Sequence, residues 1–344
     1  MTRYALLVLP ATNRVYAESA TGLTMAELGV FSQAVLGGRI GDIAETRIGG
    51  IPYVTFEADE LSGKDADFLA NMSNIYALFR QDGRLLEPVE LAKLDKFDDD
   101  LITIQKYQGK TNEHFTKLLL NVTLLASAMA GDMLDHRFRV IDPLCGRGTT
   151  LNQALMYGYH AAGLDIDQKD FEAYSTFIQT WLKRKRLKHE AEVTRIRREH
   201  KNIGRKLHAS IGITKESYKA GEALDLTYIN GDTAKATEFY RAGTFDLVVA
   251  DAPYGVQHGS RTQQQGLHRS PLELVKASAN GWARLLKPGG ALGISWNTNV
   301  AKRDDVTDVL GQAGLEPLET GPYLDFTHRV DQAIVRDIVV ARKK

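Results

Sequence analysis

The chain has 344 residues, of which 43% are apolar and 25% charged, as in an ordinary soluble globular protein. Its one cysteine excludes a disulfide framework within the chain, and no apolar run approaches the roughly 18 residues of a membrane span. The apolar run at residues 4–9 is too short for a signal peptide, so the sequence predicts a cytoplasmic protein without membrane contact.

The formal net charge is zero, but the charge is unevenly distributed along the chain. Residues 1–105 contain 9 Lys/Arg and 16 Asp/Glu, whereas the remainder contains 34 and 27. This asymmetry indicates two modules and predicts that any polyanion contacts the second one.

Residues 1–105 read as a small α+β domain. The stretches "YALLVLP" and "IPYVTFEAD" predict strands, "TMAELGVFSQAVLGG" predicts a helix, and Asp82-Gly83 predicts the turn of a hairpin. The run Asp98, Asp99 and Asp100 is typical of a solvated linker to the next domain.

From residue 106 to residue 344, strands alternate with helical segments. A helix is predicted in "HFTKLLLNVTLLASAMA", and strands are predicted in "FRVID", "HAAGLDID", "LDLTYINGDT", "FDLVVADAPYG", "LLKPGGALGISWN" and "AIVRDIVVARK". Such alternation predicts a second domain built on a parallel α/β sheet.

Residues 182–206 are unusually basic, with 11 Lys/Arg and 3 Asp/Glu. An imperfect helical stripe of apolar residues predicts a basic helical insertion at about 182–215. Two interpretations stay open, a solvated helix face or a helix that contacts phosphates. On the second interpretation the substrate-binding residues are Lys183, Arg184, Lys185 and Arg186.

The stretch "DPLCGRGTT", residues 142–150, follows a predicted strand and opens a predicted helix. Gly146 and Gly148 allow a sharp turn and a close approach to a ligand, and the helix N-terminus presents amide groups to an anion. The dinucleotide fingerprint G-x-G-x-x-G is incomplete because Leu151 occupies its last position, and no nucleoside-triphosphate loop motif is present.

Acidic residues follow the next two predicted strands. The second strand ends at Asp165, where an acid accepts hydrogen bonds from ribose hydroxyls, and the third ends at Asp232, which could accept from an adenine amine. A nucleoside with a carboxylate-bearing tail fits these strand ends, which favours S-adenosylmethionine over NAD. The predicted cofactor-binding residues are Asp142, Leu144, Gly146, Gly148, Thr149, Asp165, Ile166, Asp232, Thr233 and Asp251.

The fourth predicted strand ends in Asp251-Ala252-Pro253-Tyr254. This tetrapeptide resembles the D/N-P-P-Y/F motif of class I S-adenosylmethionine-dependent methyltransferases that modify exocyclic amines. The longer stretch "DAPYGVQHGSR" is most similar to the "DPPYGxRxGxR" stretch of the tRNA guanosine-N2 methyltransferase family, and "FTHRVDQAIVRDIVV" is similar to that family's last hairpin. The resemblance covers residues 105–344.

The resemblance implies a Rossmann-like, seven-stranded methyltransferase sheet and tRNA as the nucleic-acid partner. It also implies that residues 1–105 correspond to the family's ferredoxin-like N-terminal domain, with a part in RNA capture. That segment is too short to hold the additional THUMP RNA-binding domain that many members carry.

The family pattern assigns catalytic roles to Asp251, Pro253 and Tyr254. An amine conjugated to a ring is a poor nucleophile, so Asp251 and the main-chain carbonyl of Ala252 or Pro253 would hold it with its lone pair aimed at the methyl group. Tyr254 would stack on the base. The departure from the family is Ala252 in place of the first proline.

Further residues are assigned from their position in the chain. Thr111 or Asn112 is expected near the methionine end of the cofactor, and Arg261, in the loop after the catalytic strand, is expected to reach a phosphate. Arg329 and Arg336 are interpreted as surface residues.

His258 and His268 lack partners at metal-ligand spacing, so no metal site is predicted.

The sequence leaves several hypotheses about the function open. The leading hypothesis is methylation of guanosine N2 in tRNA. The alternatives are a DNA adenine-N6 or cytosine-N4 methyltransferase, a protein glutamine methyltransferase, and a non-enzymatic nucleic-acid-binding scaffold.

Overall fold

A computed structural model describes residues 1–9, 14–107, 109–253 and 271–344, with only the backbone for residues 14–18. Within these ranges the chain forms two β-sheets, a smaller one near the N-terminus and a larger one that follows. The first sheet ends at Val89 and the second begins at Arg139. The division into two domains at residue 105 stays a prediction, because both sheets pack onto one continuous apolar core.

The N-terminal sheet is antiparallel throughout the described residues. In the described part of the chain its strand order is β2-β3-β1-β4-β5, and two helices accompany it. The bounds are β1 (Thr2–Val8), α1 (Arg14–Val35), β2 (Gly41–Ile48), β3 (Ile51–Ala58), α2 (Gly63–Leu69), β4 (Ile75–Asp82) and β5 (Leu85–Val89).

The larger sheet contains the seven strands that the sequence and the resemblance predict. Six of them run in one direction and one, the second from the outer side of the sheet, runs antiparallel between two of the six, and helices cover both faces. The bounds are α3 (Asp100–Thr103), α4 (Glu113–Ala126), β6 (Arg139–Asp142), α5 (Thr149–Met156), β7 (His160–Asp165), α6 (Gln168–Arg184), β8 (His189–Arg198), β9 (Lys201–Ile211), α7 (Lys215–Lys219), β10 (Leu224–Asn230), α8 (Ala236–Phe239), β11 (Phe245–Asp251), α9 (Pro271–Leu285), β12 (Leu286–Asn297), α10 (Arg303–Gln312), β13 (Leu315–Pro317), β14 (His328–Arg329) and β15 (Val335–Lys343).

The order of these strands is β13-β15-β12-β11-β6-β7-β10-β9-β8, with β14 paired to β15. The seven predicted strands are the run from β13 to β10. Because β6, β7, β10 and β11 are parallel, their carboxyl ends meet at one edge of the sheet, which is called the active edge below. The glycine loop and the predicted strand-end acids therefore share that edge.

The basic segment is a β-hairpin and not the predicted helical insertion. Helix α6 ends at Arg184, and Arg186 then takes a positive φ of 55°, which breaks the helix. Strand β9 alternates in burial, with Leu207, Ala209 and Ile211 buried and their neighbours half-buried. This alternation of period two defines a strand. The charges that dominate the composition of β8 obscure it in the sequence.

The run Asp98 to Asp100 is not a solvated linker, because two of its carboxylates bind side chains at the end of α6. Lys185, the residue that follows α6, places its Nζ 2.6 Å from Asp98 Oδ2 and 2.7 Å from Asp100 Oδ2. Asp100 also accepts a hydrogen bond of 2.9 Å from the indole of Trp181. Its pKa is held below the usual range because the hydrogen bonds from Lys185 and Trp181 outweigh burial, the largest single influence.

A buried carboxylate links the N-terminal sheet to the larger sheet. Glu27, on α1, is fully buried and accepts hydrogen bonds from the Ser73 hydroxyl at 2.6 Å and the Ser73 N–H at 2.9 Å. Asn121, on α4, donates to the same carboxyl at 2.8 Å. Burial raises the pKa of Glu27, and these donors partly oppose that rise.

We expect Glu27→Ala to lower the free energy of unfolding by at least about 2 kcal/mol, because it leaves the buried donors of Ser73 and Asn121 without an acceptor. Glu27→Gln keeps one acceptor oxygen and should cost less. Urea unfolding of the three proteins measures the order. An alanine variant as stable as wild type would contradict the linking role.

Candidate active site

A cavity of about 340 Å³ opens at the active edge of the larger sheet. Its size lies at the lower end of the range typical of small-molecule sites. Its walls come from the segment before α4, the glycine loop and the end of β11. The residues that the site chemistry uses are Tyr107, Thr111, Phe115, Asp142, Leu144, Gly146, Thr149, Asp251 and Pro253.

The glycine loop has the backbone that the sequence predicts. Gly146 and Gly148 have φ values of +47° and +78°, and the Gly148 N–H donates to the Cys145 carbonyl at 2.7 Å. A Cβ at position 148 would lie 2.3 Å from the ring of Tyr174. Position 148 therefore requires glycine for both its φ and its space. Helix α5 begins directly after this turn.

Asp142 lies at the end of β6, at the floor of the cavity. It is buried, and its Oδ1 accepts a hydrogen bond of 2.9 Å from the Leu144 N–H. Burial raises the pKa of Asp142 to about 7, and the nearby carboxylates of Asp251 and Asp165 act in the same direction. A cation in the cavity would stabilise the ionised form of this carboxyl.

Asp165 and Ile166 lie at the end of β7, beside the glycine loop. Asp165 accepts from the N–H of Gly146 at 2.8 Å and from that of Asp167 at 2.9 Å, one on each oxygen. Each carboxylate oxygen keeps a second lone pair for another donor. The Ile166 side chain is 72% exposed, which leaves an apolar surface beside that carboxylate.

The end of β10 differs from its prediction in one respect. Asp232 is half-buried at the active edge, and its Oδ1 accepts from the Ala234 N–H at 3.0 Å. Thr233 was expected to bind the cofactor, but it is buried and its hydroxyl accepts from the Trp282 indole at 3.0 Å. The hydroxyl of Thr233 is thus engaged in the core, and a role of this residue toward the cofactor stays a prediction.

Asp251 ends β11 and faces the cavity with both oxygens held. Thr111 donates its hydroxyl to Oδ2 at 2.6 Å, and Ser295 donates its hydroxyl to Oδ1 at 2.9 Å. Arg336 lies 3.9 Å from Oδ2. The Ala252 N–H next to this carboxylate donates to the Ser295 carbonyl at 2.8 Å, which joins the motif to β12.

Arg336 is buried, and its interpretation as a surface residue is wrong. Its guanidinium lies 4.1 Å from the ring centroid of Phe115, and only 4% of the residue is exposed. The ring centroid of His328 lies 5.2 Å from that of Phe115. Burial lowers the pKa of His328. Arg329, in contrast, is exposed as predicted.

Ser295 was missed by the sequence analysis. It lies in "GISWN", at the carboxyl end of β12, directly beside Asp251 in the parallel register. The signal that could have found it is the rule that neighbouring parallel strands bring their ends together.

The segment before α4 lies over the glycine loop. The Tyr107 hydroxyl is 3.3 Å from the Thr149 hydroxyl, and the guanidinium of Arg147 lies 4.7 Å from the Tyr107 ring centroid. Thr111 reaches Asp251, as described above, whereas Asn112 caps α4 by accepting from the His114 N–H at 2.8 Å. Of the two expected contributors, Thr111 is the one at the cavity.

The predicted substrate-binding cluster lies away from the site. Helix α6 starts next to Asp167 at the active edge and runs for 17 residues, about 25 Å. The helix therefore ends at the opposite edge of the sheet, and Lys183, Arg184 and Arg186 lie there. Lys185 forms ion pairs with Asp98 and Asp100. The predicted residues Tyr254 and Arg261, with His258 and His268, lie outside the described residues.

Within the described ranges, no group of three or more His, Cys, Asp or Glu side chains is arranged to hold a metal ion. None of the helices in those ranges has the length and apolarity of a membrane-crossing segment. The buried thiol of Cys145 lines the cavity. Burial raises the pKa of this thiol well above the usual value, so it stays protonated and unreactive.

The strand order, the glycine loop and the acid at the end of the fourth parallel strand define a class I methyltransferase. Residues 120–291, half of the chain, match the family described as UPF0020, RMKL-like, methyltransferase domain. The chain belongs to this family.

A curated relative is the tRNA (guanine(6)-N2)-methyltransferase of Methanocaldococcus jannaschii, 28% identical over 172 residues. The match covers 48% of this chain and 43% of the relative, so the chain aligns with less than half of that protein.

Two solved structures are also similar in fold. The magnesium protoporphyrin IX methyltransferase of Synechocystis, crystallised with bound SAM, matches with a TM-score of 0.40 and 16% identity over 69% of this chain and 87% of its own. An rRNA methylase of Streptococcus thermophilus matches with a TM-score of 0.37 and 11% identity, over 69% and 99%.

Proposed function

We propose that this protein uses S-adenosylmethionine to methylate the exocyclic N2 amine of guanosine in tRNA. The observation that carries the proposal is Asp251, a carboxylate held in one orientation at the end of β11, on the wall of the cavity. The curated relative supports the choice of guanine N2 and tRNA. The match to a methyltransferase family supports the reaction type.

The described residues fit S-adenosylmethionine on three counts. The cavity wall includes the carboxylates of Asp142 and Asp251, which complement a cationic ligand. Asp165 presents free lone pairs beside the exposed apolar side chain of Ile166, which suits a ribose next to an adenine ring. The loop at Gly146 carries no Cβ that would keep a ligand away from its backbone. When bound, this cofactor supplies a methyl group on a sulfonium, an excellent leaving group.

The residues around Asp251 orient the target amine. Thr111 and Ser295 each donate to one oxygen of the carboxylate, so the carboxylate is held in a defined orientation toward the cavity, where it would accept N–H from the amine. Arg336 offsets the cost of holding this charge in a partly buried site. Ala252 and Pro253 line the same cavity, and the main-chain carbonyl of one of them would accept the second amine hydrogen. The chain thus contributes positioning and electrostatics.

The test is nucleoside mass spectrometry after the purified protein is incubated with methyl-deuterated S-adenosylmethionine and unmodified tRNA transcripts. We expect deuterated N2-methylguanosine, and at least about a hundredfold slower labelling with Asp251→Ala. Label on adenine N6 or cytosine N4 of added DNA, or on protein glutamine, with none on tRNA would overturn the proposal in favour of the corresponding alternative.

Cofactor binding should depend on pH through Asp142. With a pKa of about 7 this carboxyl is partly protonated in the free protein, and a bound cation favours its ionised form. Binding should therefore release a proton near pH 7, and affinity for S-adenosylmethionine should fall by up to about tenfold per unit as pH drops below 7. Above about pH 8 the affinity should level off.

Calorimetric titration between pH 5.5 and 8.5, in two buffers of different ionisation enthalpy, measures both the affinity and the released proton. Asp142→Asn is the matched variant, because it keeps the acceptor for Leu144 and removes the titrating group. It should bind more weakly at pH 8.5 and lose the pH dependence. A wild-type affinity that is constant across this range would contradict the prediction.

A further inference from the structure

The hairpin of β8 and β9 extends beyond the active edge of the sheet. β9 is antiparallel to β10, and their ladder ends where Arg205 pairs with Asn230, the last residue of β10. The hairpin continues past this point, through the pair Arg197 and Asn202 to the pair Arg198 and Lys201. Four further residues at about 3.3 Å each carry its end roughly 13 Å past the end of β10. Residues 195–206 are called the hairpin tip below.

The hairpin tip is strongly basic. Its basic residues are Arg195, Arg197, Arg198, Lys201, Arg205 and Lys206, and its one acid is Glu199. Two of these have acidic partners: Arg198 lies 3.1 Å from Glu238, and Arg205 lies 2.7 Å from Glu172. Arg195, Arg197 and Lys201 are exposed, and the described part of the chain offers them no ion pair within 4.0 Å.

The tip contains features that cost stability in the isolated protein. Arg195 is paired directly opposite Arg205, and Arg198 opposite Lys201, and like charges at such positions repel. The two turn residues, Glu199 and His200, have φ values of +50° and +64°, a conformation that suits Asn-Gly far better. An external anion bound between these side chains would relieve the repulsion.

The sheet places this charge on the same edge as the active site. Four strand spacings separate β11 from β9, and five separate it from β8, which amounts to about 19–24 Å along the edge. A ligand that reaches both Asp251 and the tip must be long and must carry repeated negative charges. An RNA chain meets both conditions, whereas a small anion meets neither.

We propose that the hairpin tip binds the phosphate backbone of the RNA substrate several nucleotides from the target base. This inference rests on the proposed function for the identity of the RNA. It also moves the phosphate contacts from the end of α6 to Arg195, Arg197 and Lys201. The tip then acts in substrate capture and leaves the chemistry at Asp251 unchanged.

The test compares two triple variants with wild type. Arg195→Gln, Arg197→Gln and Lys201→Gln remove charge from the tip. The matched control is Lys188→Gln, Lys215→Gln and Lys219→Gln, which removes the same charge from exposed positions at the other end of the hairpin and on α7. That end lies at the opposite edge, because Ile211 of β9 pairs with Leu224, the first residue of β10.

For the tip variant we expect the KM for a tRNA transcript to rise at least tenfold, with kcat at saturating tRNA within about twofold of wild type. The slope of log tRNA affinity against log salt should become shallower by about 2–3, since three phosphate contacts are lost and each contributes about 0.7–0.9 to the slope. Affinity for S-adenosylmethionine should be unchanged. The melting temperature should be equal or higher, because the variant removes repulsion, so a folding defect would be distinguishable.

Equal losses in the tip variant and its control, or an unchanged salt slope in the tip variant, would overturn the inference. These outcomes are separate from failure of the proposed function. If wild type labels no tRNA, the proposed function fails, and filter binding of the same transcript by the two variants still decides whether the tip holds RNA.

Discussion

Replacing Asp251 by alanine should lower kcat for methyl transfer by a factor on the order of 10²–10³. The target amine loses the carboxylate that Thr111 and Ser295 hold in place, so its lone pair is no longer aimed at the methyl group. Affinity for S-adenosylmethionine should fall much less, although Asp251 lines the same cavity. Single-turnover kinetics with saturating tRNA, together with calorimetry for the cofactor, measure the two effects separately.

The same strand offers a matched control. Asp246, near the start of β11, is buried and forms a 2.7 Å ion pair with Lys287, far from the cavity. Asp246→Asn should lower stability and leave kcat of the folded enzyme near wild type. Ser295→Ala should show an intermediate loss of kcat, because it frees one carboxylate oxygen of Asp251 to reorient. Wild-type kcat in Asp251→Ala would refute the orienting role.

The second large effect is expected at the glycine loop. Gly148→Ala should lower the free energy of unfolding by about 2–5 kcal/mol, because alanine is strained at a φ of +78° and its Cβ would lie 2.3 Å from the buried ring of Tyr174. The loop must then shift, so affinity for S-adenosylmethionine should fall at least tenfold. Urea unfolding and calorimetric titration are the measurements.

The control variant Gly221→Ala separates the backbone strain of a positive φ from the steric overlap with Tyr174. Gly221 has a φ of +79°, nearly that of Gly148, but no atom lies within 4 Å of its Cβ position. This control should cost only the backbone strain, about 1–2 kcal/mol, and leave cofactor affinity intact. If both variants lost the same stability, the contact with Tyr174 would have no energetic part in shaping the loop.

Some of the site could be predicted from the sequence because its signals are local. Gly146 and Gly148 occupy positions with positive φ, and only a short stretch of chain is needed to see that a strand, a turn and a helix meet there. Asp142, Asp165 and Asp251 each follow an apolar run directly, and parallel strands place such ends together. The family resemblance then connected these local patterns to one reaction.

The basic composition of residues 182–206 alone led to a wrong prediction of where this charge lies relative to the active site. Its charges were visible in the sequence, but the direction of α6 and the pairing of β9 with β10 were not. A helix of 17 residues carries Lys183 and Arg184 to the edge opposite the site. The hairpin then returns the chain to the active edge, where Arg195 lies level with the end of β10 and Arg197 extends past it.

The sequence by itself determined the class of fold, the glycine loop and the strand-end acids, because each depends on neighbouring residues. Only the tertiary structure decided the surroundings of Asp251. Ser295 is 44 residues away in the chain and becomes its neighbour through the pairing of β11 with β12. Arg336 looked like a surface residue because an unpaired arginine is rarely buried. It is buried here because its guanidinium, on β15, lies near Asp251 at the end of β11 and over the ring of Phe115 on α4, and these two groups offset the cost of removing its charge from water.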